Sequence, residues 1–148
     1  MDFLLTSILD GLLLGFVYGL AAMGLTLIWG VMNVINLSHG PIISLGMFGV
    51  YLLFTGLGIN PYVALIFVAI FGLLLGIVIY FVAVNRVINA PHLSTLLATF
   101  SVAMIITGLG TAVFSASPRN VDYSLGSFTL GSATIPINRI VAAALSML

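Results

Sequence analysis

The densest set of hydrogen-bonding side chains in the first 84 residues lies in one short stretch. Residues 33–41 contain four of them, Asn33, Asn36, Ser38 and His39. Such groups need hydrogen-bond partners wherever water is excluded. One interpretation is an interfacial turn in which Ser38 or His39 caps the next helix. The other is a broken helix beside a water-filled pathway, because irregular backbone at membrane depth must be covered by protein or water.

These residue types offer little for catalysis or for metal binding. Ser38 and His39 are adjacent in sequence rather than across a cleft, and the chain has no Gly-x-Ser-x-Gly elbow. The second histidine, His92, lies on a different predicted loop, and neither histidine has a carboxylate near it in sequence. Lysine and cysteine are absent, which excludes a P-loop lysine, a Schiff base and a disulfide. We therefore expect no catalytic residue, no metal site and no other cofactor.

Lipid is the solvent that the composition predicts for most of the chain. Of the 148 residues, 62% are hydrophobic and 4% are charged, whereas about a quarter of the residues in soluble domains are charged. No charged residue occurs from Gly11 to Asn85. Because three Arg and three Asp residues leave the chain without a net charge, we do not expect nucleic acid as a partner. We predict an integral membrane protein whose charges flank its spans.

Apolar runs predict an all-α fold, a polytopic transmembrane helical bundle with four full spans and a truncated fifth. About 20 helical residues are needed to cross about 30 Å of hydrocarbon. The full spans are predicted at about residues 11–29, 41–57, 62–84 and 93–114. The last run, residues 137–148, is too short to cross. We therefore expect residues 1–148 to be a partial membrane domain, with a longer reading frame downstream.

Glycine recurs at every fourth position on one face of the first span, at Gly11, Gly15 and Gly19. Small residues at this spacing let a second helix approach closely, which in lipid replaces the missing hydrophobic drive for association. We predict a helix-packing face at these three residues. If the face served assembly alone, the chain would be a non-transporting membrane scaffold.

The segment from Ser115 to Pro136 is rich in Ser, Thr, Gly and Pro, so we predict that it lies outside the hydrocarbon. Arg119 and Asp122 in this segment are expected to form a solvated loop pair. Alternating apolar residues predict a short hairpin between two strands, one containing Val121, Tyr123 and Leu125 and the other Phe128 and Leu130.

Several motifs also carry a family resemblance. The run Tyr-Gly-Leu-Ala-Ala-Met-Gly-Leu-Thr-Leu-Ile-Trp-Gly at residues 18–30, followed by Asn36-Leu-Ser-His39-Gly40 and Leu45-Gly46, resembles the branched-chain amino-acid permeases of ABC transporters, the LivH type, in their N-terminal half. Three further segments are similar to the family. Asn85-Arg86 with Pro91 resembles its short basic loop, Leu97-Ala-Thr-Phe100 the start of its next helix, and Ser117-Pro-Arg119 its following external loop.

The resemblance implies a multi-pass permease subunit of the bacterial inner (plasma) membrane, one part of an ABC importer for branched-chain amino acids. It implies four partners: a second permease subunit, two cytoplasmic ATPase subunits and a periplasmic substrate-binding protein. ATP hydrolysis would then occur on separate subunits. The chain departs from the family at Pro41 and Asn85, where members often carry acidic residues. The alternative is therefore a permease of the same superfamily whose solute is urea, an amide or a sugar.

Two further predictions concern the residues that line the pathway and the orientation of the chain in the membrane. An apolar pathway suits branched side chains, and we expect Asn33, Asn36, Ser38 and His39 to line a wetter part of it. For orientation, the distribution of arginines would place the loop after Ser115 in the cytoplasm. The resemblance implies the reverse, with Arg86 inside and the N-terminus outside, and we adopt that orientation because a difference of one charge decides little.

Overall fold

The computed structural model describes residues 2–115, 117, 121–130 and 133–147. Within these residues the order of elements is α1, α2, α3 with a π-helical turn at its end, α4, β1, β2 and α5. Their bounds are Asp2–Met32, His39–Leu57, Pro61–Ile79, Tyr80–Val84, His92–Phe114, Ser127–Leu130, Ala133–Pro136 and Ile137–Met147. The predicted all-α bundle is confirmed, with one small hairpin added to it.

Four of these helices are long and apolar enough to cross a membrane, which makes the chain a multi-pass membrane protein. The candidate spans are Leu4–Met32, His39–Leu57, Pro61–Val84 and His92–Phe114. The fifth helix has 11 residues, or roughly 16 Å of rise, and is shorter than a span. α1 begins before the predicted first span of about residues 11–29 and contains Asp10, which was expected to flank that span and is paired with Arg139.

The chain divides into two units, one of Met1–Leu27 with Asp122–Leu148 and the other of Ile28–Val121. In the first unit, Nη1 of Arg139 on α5 lies 2.7 Å from Oδ2 of Asp10 on α1. The antiparallel strands β1 and β2 pair with Ser127 opposite Pro136. In this unit an ion pair therefore links α1 to the helix that follows the hairpin.

The predicted partner strand of the hairpin is wrong. Residues 121–126 form no strand, and β1 pairs instead with β2, which leads directly into α5. The backbone at the predicted strand is bonded to one side chain: Nδ2 of Asn138 donates to the carbonyl of Tyr123, and the N–H of Leu125 donates to Oδ1 of Asn138 at 3.1 Å. Because Asn138 takes these groups, the segment has fewer left for a strand ladder.

In the second unit, α2 and α3 form a helical hairpin with well-defined ends. Gly58 adopts φ 65°, and its N–H donates to the carbonyl of Phe54 at 3.0 Å, which ends α2 in a left-handed cap. Oδ1 of Asn60 accepts from the N–H of Tyr62 at 3.0 Å and caps α3, whose first residue is Pro61.

Small residues allow α2 and α3 to approach closely. A Cβ atom placed on Gly49 would lie 3.1 Å from Cγ2 of Val68, and one on Gly46 would lie 3.4 Å from Cγ1 of the same residue. By contrast, Cβ atoms placed on the predicted packing face of α1, at Gly11, Gly15 and Gly19, would have no neighbour within 4 Å in the described structure. Packing on that face stays a prediction that needs a partner from outside these residues.

Candidate functional site

The polar stretch identified in the sequence forms a non-helical connector between α1 and α2, which we define as residues 33–38. Asn33 ends α1 in the left-handed region at φ 52°, and its N–H donates to the carbonyl of Trp29 at 2.8 Å. Asparagine tolerates this conformation better than most residues do. The helix therefore stops abruptly, and the connector leaves backbone groups that need other partners.

Thr99 of α4 supplies two of those partners with one hydroxyl group. Its Oγ donates to the carbonyl of Ile35 at 3.0 Å and accepts from the N–H of Leu37 at 3.3 Å. The same oxygen lies 3.1 Å from the carbonyl of Leu96 in its own helix. Thr99 is only 1% exposed. A buried side chain on α4 thus satisfies the irregular backbone of the connector.

Asn36 and Ser38 hold the rest of the connector in a side-chain turn. Oδ1 of Asn36 accepts from the N–H of Ser38 at 3.0 Å and from its Oγ at 2.5 Å. This is the pattern in which asparagine mimics a backbone turn. Ser38 is fully buried and stands before the first residue of α2, but its side chain makes no capping bond to that helix. The hydroxyl of Ser38 therefore orients Asn36.

The connector lies beside the middle of α4 and not beside its first residue. Two contacts show this, and they also show that α2 and α4 run in the same direction. Leu37 bonds to Thr99, and further along both helices Phe48 stacks on Phe114 with ring centroids 4.3 Å apart. Thr99 is roughly 10 Å of helix rise from the start of α4. This position favours a broken helix over a turn that lies beyond the helix ends.

One cavity of about 260 Å³ opens beside the connector, and we call it the α1–α3 cavity. It lies between the end of α1, the connector, the start of α2 and the end of α3 with its π-helical turn. Its polar side chains are Asn36, His39 and Tyr80. Its apolar wall includes Ile28, Met32, Val34, Ile42, Ile79 and Val84.

The π-helical turn helps to shape this wall. The N–H of Asn85 donates to the carbonyl of Tyr80 at 2.7 Å, a bond that spans five residues rather than four. Such a turn inserts an extra residue and rotates the side chains that follow it, and it often occurs at functional sites. Both Tyr80 and Val84, at its two ends, line the α1–α3 cavity.

A larger cavity of about 530 Å³ lies on the other side of α2, and we call it the α2–α4 cavity. It extends from Gly40 and Pro41 to Phe48 on α2, and from Ile106 to Thr111 on α4. Hydroxyl side chains are prominent in its lining, namely those of Ser44, Thr107, Thr111, Ser115 and Ser117. The first turns of α2 thus separate two chambers, with His39 and Ile42 on one and Gly40 and Ser44 on the other.

The four residues predicted for the pathway have different places in the structure. Asn36 and His39 are half-buried and line the α1–α3 cavity. Asn33 is exposed at the end of α1, and Ser38 is enclosed beneath Asn36. Sequence reasoning missed the role of Thr99. The available signals were a threonine inside an apolar span and its place in the segment Leu97-Ala-Thr-Phe100, but most hydroxyls in such spans bond to their own helix.

The residues considered for metal binding, and the predicted loop pair of Arg119 with Asp122, form no site in the described part of the chain. In the described part of the chain no three His, Cys, Asp or Glu side chains gather as a metal site. His92 is exposed at the start of α4, distant in sequence from His39. The predicted pair of Arg119 with Asp122 cannot be placed, because Arg119 lies outside the described residues.

The chain matches a known protein family. Residues 7–148 match a family model described as "Branched-chain amino acid transport system / permease component". The matched range includes nearly all of α1, the connector, both cavities and the hairpin with α5. No curated protein and no solved structure matches the chain.

Proposed function

Since the chain belongs to the family of branched-chain amino acid transport permease components, we propose that it forms part of the translocation pathway of an ABC importer for leucine, isoleucine, valine or a similar small solute. The family match confirms the resemblance that the sequence motifs indicated. It makes the chain a transporter component rather than an enzyme.

The observation that carries the pathway assignment is the polar connector at a mainly apolar cavity. Ligand sites combine apolar walls with a few placed polar groups. Asn36 and His39 supply such groups, while Ile28 and Ile79 supply walls that suit a branched side chain. In this proposal Asn36 and His39 contact the solute, Ser38 orients Asn36, and Asn33 sets the end of α1.

The energy source and the cellular setting are part of the same proposal. The chain contains no lysine, so it cannot provide the lysine of a P-loop. Two cytoplasmic ATPase subunits would therefore supply ATP hydrolysis, a second permease subunit would complete the pathway, and a periplasmic binding protein would deliver the solute. The location is the bacterial inner membrane, with Arg86 on the cytoplasmic side.

Removing the side chain of Asn36 tests the pathway assignment. In the full-length transporter, Asn36→Ala should lower uptake of radiolabelled L-leucine by about tenfold, the effect of losing a desolvated hydrogen bond of roughly 1–3 kcal/mol. Asn36→Asp retains the oxygen that accepts from Ser38 but lacks the amide donor, so it should retain the turn and still lose uptake. The matched control is Asn33→Gly, which permits the positive φ and should transport normally.

Two results would argue against this assignment. Equal uptake by Asn36→Ala and Asn33→Gly, at equal membrane levels, would remove Asn36 from the pathway. Uptake of labelled urea or a labelled sugar by the unchanged transporter, without uptake of labelled L-leucine, would show that the solute is of another class. A chain that supports no uptake with any of these solutes would match the scaffold alternative.

A further inference from the structure

We propose that Gly76 of α3 sets the upper size of the solute that the α1–α3 cavity accepts. The inference deepens the proposed function and rests on it for the identity of the solute. The size limit itself is a property of the cavity, and so it can be measured without transport.

Gly76 lies on the side of α3 that forms part of the cavity wall. Gly76, Ile79 and Tyr80 all line the cavity. The helix is regular at this point, since the N–H of Tyr80 donates to the carbonyl of Gly76. Residues three and four positions apart lie on the same side of a helix. A side chain at position 76 would therefore project on the side of Ile79 and Tyr80, into the cavity.

The space beside Gly76 is open. A Cβ atom placed on Gly76 would have no neighbour within 4 Å among the described residues. Gly49 is the opposite case, because a Cβ atom there would lie 3.1 Å from Cγ2 of Val68. No packing contact in the described structure therefore requires glycine at position 76. What the missing side chain leaves is room within the cavity.

The cavity is small enough for one carbon atom to matter. Its volume of about 260 Å³ is below the range of roughly 300–1,000 Å³ that is usual for small-molecule pockets. In an apolar pocket, one methylene group changes selectivity by roughly 10–200-fold. Leucine has one methylene group more than valine. A methyl group added at Gly76 should therefore exclude leucine more strongly than valine.

Replacing Gly76 by alanine adds this methyl group. In the full-length transporter, Gly76→Ala should raise the ratio of valine uptake to leucine uptake about tenfold, the lower end of the effect of one methylene group. Alanine favours a helix more than glycine does, so the change should not weaken α3.

Gly72 provides a matched control on the same helix. It lies one turn before Gly76, and a Cβ atom placed on it would also have no neighbour within 4 Å among the described residues. Gly72 is not among the described residues that line the cavity. Gly72→Ala should therefore leave the uptake ratio unchanged.

Thiol chemistry tests the size limit without requiring transport. The chain has no cysteine, so Ile42→Cys places the single thiol of this chain in the cavity. The probes are methyl methanethiosulfonate, which is small, and benzyl methanethiosulfonate, which is larger, with labelling followed by mass spectrometry of this chain. After division by the rate ratio measured with 2-mercaptoethanol, adding Gly76→Val should slow the larger reagent relative to the smaller one about tenfold. Adding Gly72→Val should not.

Gly76→Ala should slow the larger reagent to a smaller extent, and it decides the test if the valine variant fails to insert. The inference is overturned if the normalised ratio is the same with and without Gly76→Ala, or if Ile42→Cys reacts with neither reagent. It is also overturned if Gly76→Ala changes the uptake ratio no more than Gly72→Ala does. A size effect on labelling in a transporter that takes up neither amino acid would instead count against the proposed function alone.

Discussion

Replacing Thr99 by valine should lower the free energy of unfolding by roughly 1–3 kcal/mol, the cost of leaving partly buried backbone groups without partners. The hydroxyl of Thr99 bonds to the carbonyl of Ile35 and to the N–H of Leu37 across more than 60 positions of sequence. Valine has the same shape but cannot make either bond. Thermal or denaturant unfolding of the full-length protein in bicelles measures the change.

The same helix offers a matched control for this prediction. Thr95 is 4% exposed, and its hydroxyl donates to the carbonyl of His92 within α4 at 2.8 Å. Thr95→Val should therefore cost less than Thr99→Val, and Thr99→Ser should restore stability because it retains the hydroxyl. Leucine uptake should fall with Thr99→Val as the connector loses its anchor. If the two valine variants unfold alike, the anchoring role of Thr99 is incorrect.

Breaking the ion pair between Asp10 and Arg139 should destabilise the link between α5 and α1. Oδ1 of Asp10 is enclosed without a hydrogen-bond partner in the described structure, so Arg139 is the partner that this carboxylate has there, through Oδ2. Arg139→Gln leaves a carboxylate unpaired on a membrane-spanning helix, where insertion scales assign a charge roughly 2.5–3.5 kcal/mol at the bilayer centre. Membrane-inserted protein and its unfolding midpoint should both fall.

The size of this effect can be bounded. Breaking a fully buried pair costs roughly 3–5 kcal/mol, but the Arg139 side chain is 43% exposed and that of Asp10 is 31% exposed. We therefore expect a coupling energy of about 1–2 kcal/mol from a double-mutant cycle of Asp10→Asn and Arg139→Gln. The double variant should recover most of the stability lost by Arg139→Gln alone. Strict additivity of the two single changes would mean that the pair contributes nothing.

The sequence predicts the helices well because lipid imposes a simple rule on composition. The bounds of α2 and α3 agree with the predicted spans to within two residues at each end when the π-helical turn is included. Pro61 begins α3, and Gly58 ends α2, for local reasons that the residue types indicate. Such features depend on a few neighbouring residues, and so they can be predicted without tertiary contacts.

The remaining features depend on contacts between distant residues. The pairing of Asp10 with Arg139 on α5 could not be predicted, because nothing near Asp10 in the sequence indicates it. The hairpin partner was wrong because Asn138 binds the backbone of residues 123 and 125. Thr99 and Thr107 are both threonines in the same apolar helix, yet only Thr99 reaches the connector. Local pattern cannot distinguish the two.

The candidate site shows the same division. The sequence identified Asn36 and His39 as unusual polar groups in an apolar region, and both line the α1–α3 cavity. It could not separate them from Ser38, which is enclosed, or from Asn33, which ends a helix. Burial decides between these roles, and burial results from the packing of α4 against the connector.

If the connector borders a water-filled solute pathway inside the membrane, two adjacent isoleucines should differ in their reactivity once each is replaced by cysteine. Ile42 lines the α1–α3 cavity, whereas Ile43 lines neither of the two cavities and is 40% exposed in the chain alone. In sealed vesicles that contain the full-length transporter, Ile42→Cys should react with a membrane-impermeant thiol reagent, L-leucine should slow that reaction, and Ile43→Cys should stay unreactive in lipid. An unreactive Ile42→Cys beside a reactive Ile43→Cys would show that no water-filled pathway borders the connector.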